Sequence, residues 1–82
     1  MIGKYIYIVS DGINSRWNGT YGIITKIINH DRIIEFKVLK WGVQADINSC
    51  KTKYYNCSKV LDIYIVANTI KELKDKAMIE NL

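Results

Sequence analysis

The amino-acid sequence predicts a mainly β protein: a small five-stranded barrel followed by a C-terminal amphipathic α-helix. Three observations lead to this prediction. The first half of the chain contains three runs rich in β-branched and aromatic residues, separated by short polar or glycine-bearing segments. A further apolar run follows near residue 60, and the end of the chain changes to helical spacing. The 82 residues form one domain, with the barrel over residues 3–67 and the helix over 69–82.

The first three strands are predicted over residues 4–10, 20–28 and 32–40. The first ends at the turn signal Asp11-Gly12, and the second ends at the polar segment Asn29–Asp31, whose length suits a hairpin. The third alternates most clearly, because Ile34, Phe36 and Val38 fall on one face. A flat sheet of such strands would leave its apolar face uncovered and its edges open, so we expect closure into a barrel.

Two further strands are predicted in the second half. Val43, Ala45 and Ile47 alternate with polar residues, which indicates a fourth strand over 41–47 with a bend at Gly42. Residues 48–58 are polar and aperiodic, so this segment is predicted to be a loop. Residues 59–67 are apolar on both faces, which is typical of a central strand.

The C-terminal helix has a start signal in the sequence. Thr69 and Glu72 have the spacing of a capping box, in which each side chain satisfies an unpaired backbone amide of the other. Ile70, Leu73 and Ala77, with either Met78 or Leu82, then recur at three-to-four spacing and form an apolar face. We expect this face to cover an open end of the barrel. The alternative is a docking helix for a partner or for a second copy of the chain, giving a homodimer.

The glycines of the first half resemble those of a known motif. The segments Val9–Gly12 and Asn18–Ile24, with the alternating strand Ile34–Val38, are similar to the KOW motif of small SH3-like barrels. Gly19 can adopt positive φ at the loop exit, and Gly22 permits the bend that a small barrel needs. The loop from 13 to 18 is longer than is usual in that family. The resemblance covers the first half of the chain and implies an SH3-like barrel rather than a particular ligand.

Composition and the lengths of the apolar runs indicate the cellular compartment and the source of the chain. No apolar run approaches the length of about 18 residues that spans a bilayer, and the N-terminus lacks a signal-peptide layout, so we expect a cytoplasmic protein without a membrane partner. Ile, Lys, Asn and Tyr have AT-rich codons, which points to a low-GC bacterium or a phage or other mobile element. Cys50 and Cys57 have six residues between them, a spacing that favours structural or incidental thiols over a disulfide or a metal site.

Residues for catalysis are not apparent in the sequence. His30, the only histidine, is expected to be a solvated turn residue beside Asp31. The glycines between 12 and 22 lack the Gly-Lys-Ser/Thr ending of a phosphate-binding loop. No spacing forces any two of the carboxylates together. We therefore expect a protein that is not an enzyme and that needs no cofactor or metal.

Charge and aromatic residues give the strongest functional signal. The net charge is +4, and the excess lies in the first half of the chain, while the helix is balanced. Aromatic and basic residues adjoin in the first loop, after the third strand and before residue 56. The predicted binding residues are Arg16, Trp17, Lys40, Trp41, Lys51, Lys53, Tyr54 and Tyr55. Their loops can approach one another in a five-stranded barrel, which would form a stacking surface with a basic rim.

A structural interpretation of the same rings stays open. Trp41 could cap the core, and Tyr54 and Tyr55 could anchor their loop by ring burial. Trp17, in a polar loop, is the best candidate for an exposed contact. Two functions are compatible with these residues: a non-catalytic module that binds RNA or DNA, or a protein-interaction module, such as a phage or mobile-element accessory or inhibitor protein that binds a host protein.

Overall fold

A computed structural model describes residues 1–13, 15–45 and 52–78 of the chain. Its strands and helix are β1 (Tyr5–Ser10), β2 (Tyr21–Ile28), β3 (Ile33–Lys40), β4 (Tyr54–Ser58), β5 (Ile63–Ala67) and α1 (Ile70–Ala77). The strands form one antiparallel sheet in the order β4-β3-β2-β1-β5. The predicted class, mainly β with five strands and a C-terminal helix, is confirmed.

The fourth strand was predicted in the wrong place. Val43 and Gln44 form a turn, and residues 41–45 contain no strand, while Asp46 and Ile47 lie outside the described residues. Strand β4 comes from the segment that we predicted to be a loop. Tyr55 and Cys57 face inward from it, so a strand of five residues shows only two inward positions. Two positions are too few for a period to be recognised from the sequence.

The fifth strand also departs from its prediction. Residues 59–62 form a turn, and β5 is an edge strand rather than a central one. Tyr64 and Val66 pack against the main core, whereas Ala67 is buried outside it, and α1 packs on β5 and β1. The strand is apolar on both faces because it has a core neighbour and a helix neighbour, as a central strand of a layered sheet would.

The sheet curls until the end of β4 lies close to the start of β5. Strands β4 and β5 lie at opposite edges, and a flat sheet of five strands spaced about 4.8 Å apart would hold them about 19 Å apart. Only residues 59–62 connect them, and the Asp62 amide donates to the Ser58 carbonyl at 3.0 Å. The described residues show no ladder between β4 and β5, so the sheet is barrel-like and not closed.

The core lies inside this curl. Its fully buried members are Ile6, Ile8, Ile24, Ile34, Phe36 and Cys57. Ile34 and Phe36 confirm the predicted inward face of the third strand, and Val38 packs partly buried against them. Gly19 has the predicted positive φ, at +88°. The β2–β3 register shifts between Tyr21 and Gly22, which is the irregularity expected at the bend.

The helix begins as predicted and packs on its own chain. The Glu72 amide donates to the Thr69 hydroxyl at 3.0 Å, and the Glu72 carboxylate accepts from the Asn68 amide at 3.2 Å, one residue before the expected partner. Leu73 is buried, whereas Met78 is exposed in a left-handed cap with φ 56°. Leu82 lies outside the described residues. Within the described ranges, no helix combines the length and apolarity needed to cross a bilayer.

Candidate nucleic-acid interface

Three partly buried rings from separate segments meet at the surface. The Trp17 ring lies 5.5 Å from the Trp41 ring and 5.7 Å from the Tyr55 ring, measured between centroids. Tyr55 in turn lies 5.4 Å from the buried ring of Phe36. We call Trp17, Trp41 and Tyr55 the ring cluster. It extends the core to the surface, and it brings together the first loop, the segment after β3 and strand β4.

Backbone hydrogen bonds hold Trp17 in place. The Trp17 carbonyl accepts from the Thr20 amide at 3.1 Å. The Gly19 amide, two residues after Trp17, donates to the Ile8 carbonyl at 2.8 Å. The Asn18 side-chain oxygen accepts from the Asp11 amide at 2.6 Å, which ties the far end of the loop to its start. Trp17 is therefore carried by a loop that is hydrogen-bonded on both sides.

Trp41 is held by a close approach between two segments. The Gly42 amide donates to the hydroxyl of the fully buried Thr20 at 3.0 Å. A Cβ at position 42 would overlap the Asn18 carbonyl oxygen, so only glycine fits here. Gly42 thereby places Trp41 against Trp17, which the sequence prediction of a bend in a strand did not anticipate.

The predicted cations are distributed unevenly around the ring cluster. Arg16, Lys40 and Lys53 are exposed, and Lys51 lies outside the described residues. Among the residues that the structure describes, neither Lys40 nor Lys53 forms an ion pair, whereas Lys59 and Lys76 pair with carboxylates. The chain thus presents at least two lysines near this surface without a described acidic partner.

Tyr54 does not join the ring cluster. It precedes Tyr55 in β4, so the two side chains point to opposite faces, and Tyr54 pairs across the sheet with Lys37. Both Tyr54 and Lys37 are exposed on the outer face. The sequence prediction grouped Tyr54 with Tyr55 because it placed them in a loop. Lys37 was missed as a candidate, although its position in an alternating strand was an available signal.

A pair of buried carboxylates lies behind Tyr55. Asp62 accepts from the Gly12 amide at 3.0 Å and from the Ser58 amide at 2.8 Å, and Asp11 accepts from the Ile13 amide at 2.9 Å. These bonds join the start of the first loop to the β4–β5 turn. The sequence offered no spacing that predicted this, because the two aspartates are far apart in the chain.

The carboxylates and burial keep two acidic groups neutral. Burial, followed by the nearby charges of Asp62 and Asp11, raises the pKa of the Tyr55 hydroxyl far above its ordinary value. Burial first, and then Asp62, raises the pKa of the Cys57 thiol to about 12. The thiol is free and protonated near neutral pH, which suits a structural role rather than a nucleophile. Cys50 lies outside the described residues.

The raised pKa of Cys57 predicts a loss of stability in alkali. The unfolded thiol ionises from its ordinary pKa of 9.0, whereas the folded thiol holds its proton to about 12. The unfolded state therefore binds fewer protons between these values, and the free energy of unfolding falls as the pH rises through this window. Urea unfolding of the parent chain and of Cys57→Ala should show a shallower alkaline fall in the variant. If the free energy of unfolding falls equally steeply with pH in both chains, the raised pKa of Cys57 is contradicted.

Other candidate chemistry is not assembled. His30 is exposed in the β2–β3 turn, and Asp31 pairs with Lys59 at 3.0 Å. In the described part of the chain, no three His, Cys, Asp or Glu side chains are grouped as a metal site would require.

Comparisons with family models, curated proteins and solved structures find no match to this chain. Its function is therefore inferred from the ring cluster and the charges around it.

Proposed function

We propose that the chain binds single-stranded RNA or DNA at the ring cluster, without catalysing a reaction. The observation that carries this proposal is the meeting of Trp17, Trp41 and Tyr55 at a surface, with the exposed cations Arg16, Lys40 and Lys53 close to them in the chain. Aromatic rings offer stacking faces that accept any base, and lysine and arginine neutralise phosphates. A cytoplasmic setting and a likeness of the curled sheet to SH3-like barrels belong to the same proposal.

The ring geometry favours a short strand over a duplex. The interplanar angles in the ring cluster are 55° and 54°, so the rings do not form one flat platform. Bases would stack singly on separate ring faces, which requires unpaired and splayed nucleotides. Each stacked base contributes about 1–3 kcal/mol in such sites. Because the loop carrying Trp17 is hydrogen-bonded in place, little ordering would accompany binding.

The ring cluster is also part of the folded structure, and this changes the expectation for Trp17. A fully exposed contact residue would be removed with a stability change of about 0.5 kcal/mol or less. Trp17 packs on two rings, so Trp17→Ala should cost more than that. Trp17→Leu is the better probe, because leucine keeps much of the apolar packing and removes the stacking face.

The binding prediction is tested with a fluorescently labelled oligothymidylate and the matching duplex. We expect the single strand to bind more tightly, and Trp17→Leu to weaken binding about tenfold, since one stacked base is lost. The combined change Lys40→Ala and Lys53→Ala should weaken binding and reduce the salt slope, by roughly one per phosphate contact. The control is Lys71→Ala on the exposed side of α1, which should change neither quantity.

Absence of binding at low salt, or equal weakening by Lys71→Ala, would overturn the nucleic-acid proposal. A thermal melt of each variant shows whether a loss of binding reflects a loss of folding. A protein-interaction role is favoured by a separate observation, the exposed aliphatic side chains at the other end of β3.

A further inference from the structure

Four branched aliphatic side chains are exposed around the β4–β5 turn. The exposed fractions are 78% for Val60, 57% for Leu61, 62% for Ile63 and 78% for Ile13. Ile13 belongs with them because the backbone of the preceding Gly12 lies against the Leu61 carbonyl. We call these residues the aliphatic patch. Single exposed apolar residues are common, but a contiguous group on one turn marks an interaction surface.

This exposure does not come from a loose loop. The Ser58 hydroxyl accepts from the amides of Val60 and Leu61, at 3.3 and 3.0 Å. The Ser58 amide and the Gly12 amide both donate to the Asp62 carboxylate. The turn is therefore cross-linked to the strand before it and to the first loop. Its apolar side chains are presented in a fixed arrangement, which lowers the entropy lost on binding.

An open depression adjoins the aliphatic patch, with a volume of about 730 Å³. Its lining residues are Asn29, His30, Arg32, Ile33, Ser58, Val60 and Leu61. The Lys59 amide donates to the Arg32 carbonyl at 2.9 Å and fixes the two turns that form its walls. Two acidic residues adjoin the lining in sequence: Asp31 pairs with Lys59 at 3.0 Å, and the buried Asp62 accepts from the Gly12 and Ser58 amides. Arg32 therefore gives the depression a positive charge beside its apolar wall.

We propose that the depression and the aliphatic patch bind an acidic segment of a partner protein. An apolar side chain of the segment contacts Val60 and Leu61, and its carboxylates face Arg32. Charge complementarity supports this occupant, since the chain carries a net charge of +4. A second copy would bring the same net positive charge to Arg32. Nucleic acid is disfavoured because the lining contains no aromatic ring for stacking apart from His30.

The depression and Trp41 lie at opposite ends of β3. The depression is lined by Ile33 at the start of the strand, whereas Trp41 follows its end. Eight residues of extended strand span about 23 Å, so Arg32 and Trp41 are far apart, although Ile13 of the aliphatic patch lies on the loop that carries Trp17. The inference does not depend on the proposed function. If both hold, the chain can link an acidic protein to a single strand of nucleic acid.

The test uses a random peptide library displayed on phage and selected on the immobilised full chain. We expect enriched peptides to combine Asp or Glu with a large apolar residue. Synthetic copies of the enriched peptides should bind the Val60→Ser/Leu61→Ser variant at least tenfold more weakly than they bind the parent chain. Arg32→Gln should weaken peptide binding and reduce its salt dependence. Ile2→Ser, which changes another exposed aliphatic residue, is the matched control and should bind as the parent does. Oligothymidylate binding should be unchanged in all these variants.

Several outcomes would overturn the proposal. They are the absence of enriched peptides, enrichment of peptides without acidic residues, and equal binding by the parent and Val60→Ser/Leu61→Ser. Dimerisation of the parent that these serine changes abolish, seen by sedimentation, would assign the patch to a second copy instead. Binding to phosphatidylglycerol vesicles that the same changes abolish would assign it to a membrane. Because the substituted side chains are exposed, thermal melts should be unchanged, which separates lost binding from lost folding.

Discussion

Gly22→Val should prevent the chain from folding at room temperature. A Cβ at this position would overlap the Lys37 carbonyl oxygen of the neighbouring strand and lie 2.7 Å from Cδ2 of the buried Phe36 ring. Neither neighbour can move cheaply, because one is backbone in the central β2–β3 pair and the other is a fully buried core residue. Even the single methyl of Gly22→Ala should cost about 3 kcal/mol. A small domain has only about 5 kcal/mol to lose.

The matched control for this change is Lys26→Val, which places the same β-branched residue at an exposed position of the same strand. We expect its free energy of unfolding, from urea denaturation followed by circular dichroism, to stay within about 0.5 kcal/mol of the parent. If Gly22→Val unfolds at the same temperature as the parent, the close packing of β2 against β3 at Gly22 is wrong. The curled sheet, which depends on that bend, would then be wrong as well.

Asp62→Ala should destabilise the chain by about 2 kcal/mol. The buried carboxylate accepts from the amides of Gly12 and Ser58, and alanine would leave both without a partner. A backbone amide left unsatisfied away from water costs about 1–3 kcal/mol, and this cost falls mainly on the partly buried Ser58, because Gly12 is exposed. Asp62→Asn should cost less, because its side-chain oxygen can still accept one of the two bonds. The order of the two losses, alanine above asparagine, is the specific expectation.

We call the Asp62 carboxylate, which accepts from the Gly12 and Ser58 amides, the carboxylate latch; it also affects the position of the ring cluster. Asp62 holds Gly12, and the loop that starts there carries Trp17. Under conditions in which Asp62→Asn stays folded, its tryptophan emission should be red-shifted relative to the parent, because a loosened first loop exposes the tryptophan rings to water. Asp75→Ala, on the exposed side of α1, is the control and should alter neither stability nor emission. Equal stability of Asp62→Ala and the parent would show that the two amides find other partners.

The sequence predicted the local features of the fold well. The third strand faces inward with Ile34 and Phe36 as its alternation indicated, and Thr69 caps the helix as its spacing with Glu72 indicated. In the candidate site, the sequence predicted that the first loop approaches the segment after β3, as the contact of Trp17 with Trp41 shows, but it did not predict which rings meet. These predictions succeeded because they depend on neighbours within a few residues, or on a topology that short connections allow.

The failures have a common physical origin. Strand β4 forms because β3 supplies a partner and because Tyr55 can pack on Phe36, and neither condition is visible in residues 54–58 alone. The facing of Tyr54 away from the ring cluster follows from that strand assignment. The pairing of Asp62 with Gly12 joins positions fifty residues apart, and no local pattern encodes such a contact.

By itself, the order of residues determined a β-rich class, three strands, a capped helix and a basic chain with aromatic loops, because period, turn chemistry and capping act over a few positions. Only the tertiary structure decided where the fourth strand lies, which rings meet, and that a carboxylate latch holds the first loop. Those features depend on groups brought together when the sheet curls. When the sheet curls, the end of β4 and the start of β5, which lie at opposite edges, come close enough for one short, hydrogen-bonded turn to connect them.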